Sequence, residues 1–390
     1  MKKNKLKIPE GWRVEKLGNI SDITNGKTNT QDAIEDGIYP LFDRSVDIKR
    51  SNKFLFDKTA IILPGEGAEF IPRYYSGKFD LHQRAYAIIP SDLTDSIFLY
   101  YSIYNNRDIF VKKSVGSTVK SLRLPIIQSF PIVLPPKPEQ KKIAEILGVV
   151  DEDIEKTDEI IKQTEKLKKG LMKELLTKGI GHTKFKKTKL GEIPEEWGVK
   201  EMGKVCDIES GSTPRTNVPK YWDGNIVWIT PFDLARLESK YFDTSARKIT
   251  QNGLGNSSAV KIPANSLIMS SRAPIGYLAI NKTESATNQG CKAFIPKDDN
   301  NVEYLYYYLD FNMDRIKKLG AGSTFAEVSR KHLETFLISI PNPEEQEKIS
   351  DILSSIDENI SVNKGLKNSL LKLKKGLMSD LLSGRVRVNK

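Results

Sequence analysis

The chain is written twice, and that duplication limits its possible folds more than any other feature. Ile8-Pro9-Glu10-Gly11-Trp12 returns as Ile193-Pro194-Glu195-Glu196-Trp197, and Asp22-Ile23 with Gly26 returns as Asp207-Ile208 with Gly211. Gly116-Ser117-Thr118 recurs as Gly322-Ser323-Thr324. Glu139-Gln140, Lys142-Ile143, Ile146-Leu147 and Asp151-Glu152 recur as Glu345-Gln346, Lys348-Ile349, Ile352-Leu353 and Asp357-Glu358. The offset is 185 residues at the first matches and 206 at the later ones, so the second copy carries 21 additional residues between them. Each copy is a globular stretch followed by a long charged segment. Such a tandem repeat predicts an internal two-fold and two similar binding modules. It suits a ligand that is itself extended and roughly two-fold symmetric.

Length and charge agree with that reading. At 390 residues the chain exceeds one ordinary domain, and its 38% hydrophobic content suits modest modules joined by solvated helices better than one large core. The net charge of +11 is unevenly placed. Residues 137–178 hold ten Lys against ten acids, and residues 343–384 hold six Lys against seven, so the remainder carries an excess of twelve positive charges. Positive charge therefore gathers on the modules and the C-terminal tail, which points to a polyanionic partner. Cys206 and Cys291 have no counterparts in the first copy, where Ser21 and Ala85 stand. No disulfide framework or zinc spacing results, and a reduced cytoplasmic setting is expected. The basic start, Met1-Lys2-Lys3-Asn4-Lys5, is not followed by an apolar run, so neither export nor membrane insertion is expected.

Pattern divides the chain into residues 1–136, a first module; 137–179, a long helix; 180–342, a second module; and 343–390, a second long helix and tail. Within the modules, Ala60–Leu63, Ala85–Ile89 and Phe130–Leu134, then Ser266–Met269, Ala293–Ile295 and Leu337–Ile340, read as strands. Helices are expected from Asp95 to Val111 and from Val302 to Lys318, their tyrosines packing helix to sheet. Pro135-Pro136-Lys137-Pro138 and Pro341-Asn342-Pro343, each followed by acids, start the long helices. Their apolar residues (Ile143, Leu147, Val150, Ile154, Ile160, Leu167, Leu171, Leu175, with mates 206 residues on) predict a narrow coiled-coil seam. Each helix, about 60 Å long at about 1.5 Å per residue, must pair. The first is acidic from Asp151 to Glu159 and basic from Lys162 to Lys178, and the second is acidic from Glu344 to Glu358 and basic from Lys364 to Lys375. Antiparallel packing matches these halves and opposes the helix dipoles, and it predicts one module at each end of the pair. The expected class is α+β: a duplicated α/β domain followed by a long helix, the two helices packed as an antiparallel coiled coil.

Catalytic patterns are missing from the sequence. Gly26-Lys27-Thr28 resembles the end of a phosphate-binding loop, but Ser21 stands where its first glycine is needed. His82, His182 and His332 are scattered, and no metal or dinucleotide signature is present. What remains is the chemistry of recognition: side chains that contact phosphates and base edges. Position-matched residues carry most weight, because a binding site is duplicated with its module. Thr28 pairs with Thr213, Gln83 with Gln289, and Ser117-Thr118 with Ser323-Thr324, while Lys120 lies near Arg330 across the following turn. Arg73, Lys78 and Arg84 in the first module, and Arg215, Lys220, Arg272, Asn288 and Lys292 in the second, complete the candidate set.

The layout resembles the specificity subunits of Type I restriction-modification systems. The resemblance rests on the Ile-Pro-x-x-Trp lead-in, the Gly-Ser-Thr turn and the Pro-x-x-Glu-Gln-x-x-Ile helix start. It also rests on the helix ends Lys168-Lys169-Gly170-Leu171-Met172 and Lys374-Lys375-Gly376-Leu377-Met378. Gly211-Ser212-Thr213-Pro214, Tyr221-Trp222-Asp223-Gly224, Arg272-Ala273-Pro274-Ile275-Gly276 and Thr287-Asn288-Gln289-Gly290 are similar to a widespread version of that family's target recognition domain. The first module departs from it, with Asp80-Leu81-His82-Gln83-Arg84 and Gly65-Glu66-Gly67-Ala68 at the matching places. The resemblance implies a non-catalytic DNA reader whose modules each read half of a bipartite target, with the helix pair setting the unread gap. It further implies two methyltransferase subunits that use S-adenosylmethionine on adenine N6, and ATP-driven nuclease subunits with Mg. No cofactor is expected on this chain itself. The competing readings are an enzyme with an unusual motif and a partner-independent, two-headed DNA-binding regulator or architectural protein.

Overall fold

The computed structural model describes residues 8–272, 274–320 and 327–388. It divides into two compact units: one takes in the chain up to Glu159 together with the part from Lys364 onward, and the other is Ile160–Asn363. Each unit therefore holds one module and half of each long helix. The exchange follows from pairing two helices antiparallel when each is attached to its own module.

In the first unit a six-stranded sheet runs β1 (Ser21–Asn25), β6 (Ala85–Pro90), β4 (Phe56–Pro64), β5 (Arg73–Leu81), β2 (Tyr39–Phe42) and β3 (Lys49–Ser51). Helix α1 (Ser96–Asn105) covers it, capped by Asp95, whose carboxylate accepts from the amides of Ile97 and Phe98. The expected helix to Val111 breaks at Asn106, whose side chain turns back to the Ser102 carbonyl, and a second helix restarts over Asp108–Lys113. Arg13–Lys16 pairs antiparallel with Pro131–Leu134. Helix α2 (Lys137–Lys178) then sends Ile143 and Leu147 into a buried cluster with Trp12, Phe98, Tyr101, Phe110 and Phe130. Met378, Leu381 and Leu382 close the same cluster from the other long helix.

The second unit repeats the plan with an extra part. A five-stranded sheet comprises β7 (Cys206–Ser210), β9 (Tyr241–Phe242), β11 (Leu267–Ser270), β12 (Leu278–Asn281) and β14 (Cys291–Pro296), in the order β7-β14-β11-β12-β9. The additional residues contribute to a separate three-stranded sheet, β10 (Arg247–Ile249), β8 (Trp222–Ile229) and β13 (Ser285–Thr287), with β8 central. Helix α3 (Val302–Phe311) stands where α1 stands and also ends at an asparagine, Asn312, bonded back to the Tyr308 carbonyl. Helix α4 (Pro343–Leu381) places Ile349 and Leu353 in the core beside Trp197, Tyr304 and Tyr307, with Met172, Leu175 and Leu176 joining from α2.

Antiparallel pairing is visible within each unit. In the first, Asp151 meets Lys374 at 2.5 Å and Asp158 meets Lys367, so one partner's number falls as the other's rises. In the second, Lys168 reaches Asp357 at 2.6 Å. The pairing is duplicated down to its tyrosine: Tyr101 donates to Asp151 and Tyr307 donates to Asp357, each at 2.7 Å. The lead-in tryptophans are duplicated too. The Trp12 indole donates to Glu139 and the Trp197 indole to Glu345, each at 3.0 Å. The glutamates read as helix-start charges thus also bind each module's first segment to its helix.

The seam differs from its expected course. Ile160, Leu167, Leu366 and Leu373 are all about half exposed or more, whereas Ile161 and Ile360 are buried. Six residues from Ile154 to Ile160 turn the helix by about 240°, off the stripe, whereas seven bring Ile161 back to it. No helix of the described residues is long and apolar enough to cross a membrane.

Candidate nucleic-acid interface

In the first unit, four loops converge at one end of the sheet, and glycines permit the closest approaches. A Cβ on Gly26 would stand 2.0 Å from the Leu81 carbonyl oxygen, so only glycine lets the chain after β1 cross the end of β5. The crossing is fixed by the amides of Lys27 and Thr28 on the Leu81 carbonyl and by the Gln83 amide on the Thr28 carbonyl. The Gly65 amide bonds the Arg84 carbonyl, and Leu122 returns a bond to Gly65. Glu66 bridges to Ser121. The turn 82–84, the Gly65-Glu66-Gly67 corner, the segment 26–28 and the loop before Leu122 therefore form one surface.

The second unit builds the same crossing from different residues. A Cβ on Gly211 would stand 2.0 Å from the Asn288 carbonyl oxygen. Ser212 donates to the Thr287 carbonyl, and Thr213 donates to the Gln289 side chain at 2.5 Å. Ser271 receives the amide of Val328 and bonds Gly290, which brings Arg272 beside Glu327.

Gln83, Arg84 and Lys120 are exposed at the first surface, with Ser117 and Thr118 in the adjoining loop, where Gly116 takes a φ of +105°. Thr28 sits beneath that surface, buried, its hydroxyl given to Asp80 at 2.7 Å. Arg73 turns sideways and clamps the carbonyls of Ser45 and Val46 at 2.5 and 2.7 Å, fixing the loop that Asp43 also organises. Lys78 lies on β5 opposite Asp57, its ammonium 4.7 Å from the Phe54 ring centroid. In the second unit Thr213, Asn288, Gln289, Arg272 and Lys292 come together, with Lys292 buried 3.5 Å from Glu327. Arg215 and Lys220 belong instead to the extra lobe: the Trp222 indole donates to the Arg215 carbonyl and Thr250 to that of Lys220. Arg330 is engaged by Glu209 and Glu334. Ser323 and Thr324 lie outside the described residues.

Electrostatics set the protonation of the surface. Burial lowers the pKa of His82, Arg84 and Arg44 add to the effect, and the opposing carboxylates of Asp43 and Glu66 do not overcome it. His82 is therefore neutral at pH 7, and its Nδ1 accepts the Arg84 amide at 3.1 Å. Burial works against the charge of Asp43, but bonds from Lys49 and Ser45 outweigh it and hold the carboxyl below its usual range. Burial pushes the Cys206 thiol up to about 12, which makes it a core residue and no nucleophile.

Two residues of the first surface went unread in the sequence. Glu66 accepts from both Arg84, at 2.7 Å, and Arg44, at 3.1 Å. Neither Glu66 nor Arg44 has a like residue in the other copy, so matched positions do not reveal them. The extra lobe also holds Arg247, stacked 3.5 Å over Trp222, and the Trp228 indole bonded to the Ser212 carbonyl.

Residues 9–166 and 194–372 each match the family described as Type I restriction modification DNA specificity domain. The chain belongs to that family. It is 30% identical over 419 aligned positions to the putative type I restriction enzyme MjaX specificity subunit of Methanocaldococcus jannaschii, covering 98% of this chain and 95% of the relative. The MjaIX specificity subunit of the same organism is 41% identical over 191 residues, 48% of this chain and less than half, 44%, of the relative. A crystal structure of a Type I S subunit from M. genitalium aligns over 98% of both chains, with a TM-score of 0.66 at 17% identity, a likeness of fold. As a specificity subunit the chain is a DNA-recognition component and not a catalyst.

Proposed function

We propose that this specificity subunit reads a bipartite duplex target, one half-site per unit, and directs adenine-N6 methylation and restriction by partner subunits. The observation that carries the proposal is the duplicated glycine crossing. Gly26 over Leu81 and Gly211 over Asn288 place a matched set of loops at the same point of two modules, while the side chains on those loops differ. One frame with two unlike surfaces is what two unlike half-sites require. Base edges would be read by the loop side chains and phosphates held by the surrounding lysines and arginines.

The partners in this proposal are two methyltransferase subunits, which carry S-adenosylmethionine, and nuclease subunits, which use ATP and Mg. Two copies of one partner suit the helices. Ile160 and Leu167 on α2, and their mates Leu366 and Leu373 on α4, are the same exposed apolar pair presented twice. A tagged full-length chain recovered from its own cells should bring down a methyltransferase, and the recovered complex should transfer methyl groups to adenine in duplex DNA. Recovery of the chain alone, bound to DNA, would favour a partner-independent DNA-binding protein instead.

A further inference from the structure

At one equivalent backbone bridge the two units place a carboxylate on opposite sides. In the first unit Glu66 bridges to Ser121, and in the second Arg272 bridges to Glu327. Both members of the second pair lie 206 residues beyond those of the first, so the bridges are equivalent. In the first unit the carboxylate stands on the corner after β4 and holds Arg44 and Arg84. In the second it stands on the other side of the bridge and holds Arg272, at 3.8 Å, and Lys292, at 3.5 Å. Each unit thus sets two cations on one carboxylate at the centre of its loop surface.

We propose that Arg44 and Arg84, splayed from the two oxygens of Glu66, read guanine in one half-site, and that Arg272, braced by Glu327, does so in the other. This rests on the DNA-reading proposal above and names the residues that set its specificity. Glu66 is largely buried, 13% exposed, whereas Arg44 and Arg84 are 61% and 62% exposed. One nitrogen of each guanidinium meets the carboxylate, and the rest of each fork faces solvent. An arginine fixed in this way loses less conformational freedom on binding, and its planar fork matches O6 and N7 of guanine.

The carboxylate also decides between bases and phosphates. A surface built only to grip phosphate gains nothing from a negative charge at its centre, which repels the backbone and reduces counterion release. A neutral base edge carries no such penalty, so there the gain in geometry outweighs the lost charge. Arg73 makes the contrast, since it donates to two carbonyls of its own module.

The test is selection of bound duplexes from a randomised pool by the full-length chain, as parent and as Arg44→Lys, Arg84→Lys, Arg272→Lys and Glu66→Gln variants. Lysine keeps the charge and removes the fork, and melting temperatures equal to the parent's confirm that each variant is folded. Arg44→Lys and Arg84→Lys should each lower enrichment of guanine about tenfold or more at positions in one half-site and leave the other half-site unchanged. Arg272→Lys should do the reverse. Glu66→Gln should weaken the guanine preference while raising affinity for unrelated DNA. Uniform weakening of all sequences with unchanged letters would make these residues phosphate contacts and overturn the inference. A parent chain that selects no bipartite sequence would instead overturn the DNA-reading proposal, before any variant is compared.

Discussion

Replacing Gly211 with alanine tests the frame on which the whole interface depends. The new Cβ would lie 2.0 Å from the Asn288 carbonyl oxygen, 2.2 Å from Thr287 Oγ1 and 2.5 Å from the Thr287 carbonyl oxygen. Ordinary carbon–oxygen contact begins at 3.4 Å, well beyond all three distances, so the two backbones must separate. Overpacking of this kind costs about 1–3 kcal/mol. Separation also lengthens the Ser212 to Thr287 bond, now 2.9 Å, and the Gly211 to Cys291 bond, now 3.3 Å. Each is worth about 1 kcal/mol net, so the expected loss is about 3–5 kcal/mol. Urea unfolding measures it, with Gly148→Ala as the control: that helical glycine has nothing within 4 Å of a new Cβ, and its replacement should stabilise by about 0.5–1 kcal/mol. Because Thr213 and Gln289 sit on the two loop segments being separated, recognition by the second module should fail while that of the first survives. Stability within about 0.5 kcal/mol of the parent, with unchanged DNA selection, would refute the close crossing.

Other expectations follow from the same structure. Asp151→Asn and Lys374→Gln should each destabilise by about 1 kcal/mol, and the double variant by less than their combined effect, because they remove one pair packed between the helices; a double-mutant cycle in urea measures the coupling. Burial opposes the charge of Glu303, but Lys240, Ser354 and Tyr241 outweigh it and hold its pKa below 4.5. Its contribution to stability is therefore present above pH 4.5 and lost as pH falls through the lower folded value. Glu303→Gln should reduce stability at pH 7 and flatten the acid limb, as followed by circular dichroism. Arg73→Ala should free the 43–48 loop and raise the rate of trypsin cleavage after Arg44 several-fold, with little change in global unfolding.

The large features were legible in the sequence because they are written in local pattern. Repetition of Trp12, Gly26 and Glu139 at Trp197, Gly211 and Glu345 marked the duplication, and proline followed by acids marked both long helices. Charge along those helices sufficed for their direction, since Asp151–Lys374 and Lys168–Asp357 depend on which half is acidic. Local periodicity misplaced the middle of the seam, because a shift of one residue, from Ile160 to Ile161, turns a side chain from solvent to core. Interface chemistry was less legible. Residue type alone does not distinguish Thr28, whose hydroxyl goes to Asp80, from Thr213, which stands at the surface with Gln289. The Arg44–Glu66–Arg84 group joins three separate segments and has no like-for-like copy, so neither spacing nor repetition could announce it.

The most direct test is a genome-wide map of methylated adenines in cells that carry this chain and in otherwise identical cells that lack it. The account predicts a motif of two short, unlike halves flanking an unread gap, with a methylated adenine in each half, present only when the chain is present. A methylation map that is the same in both strains would contradict it.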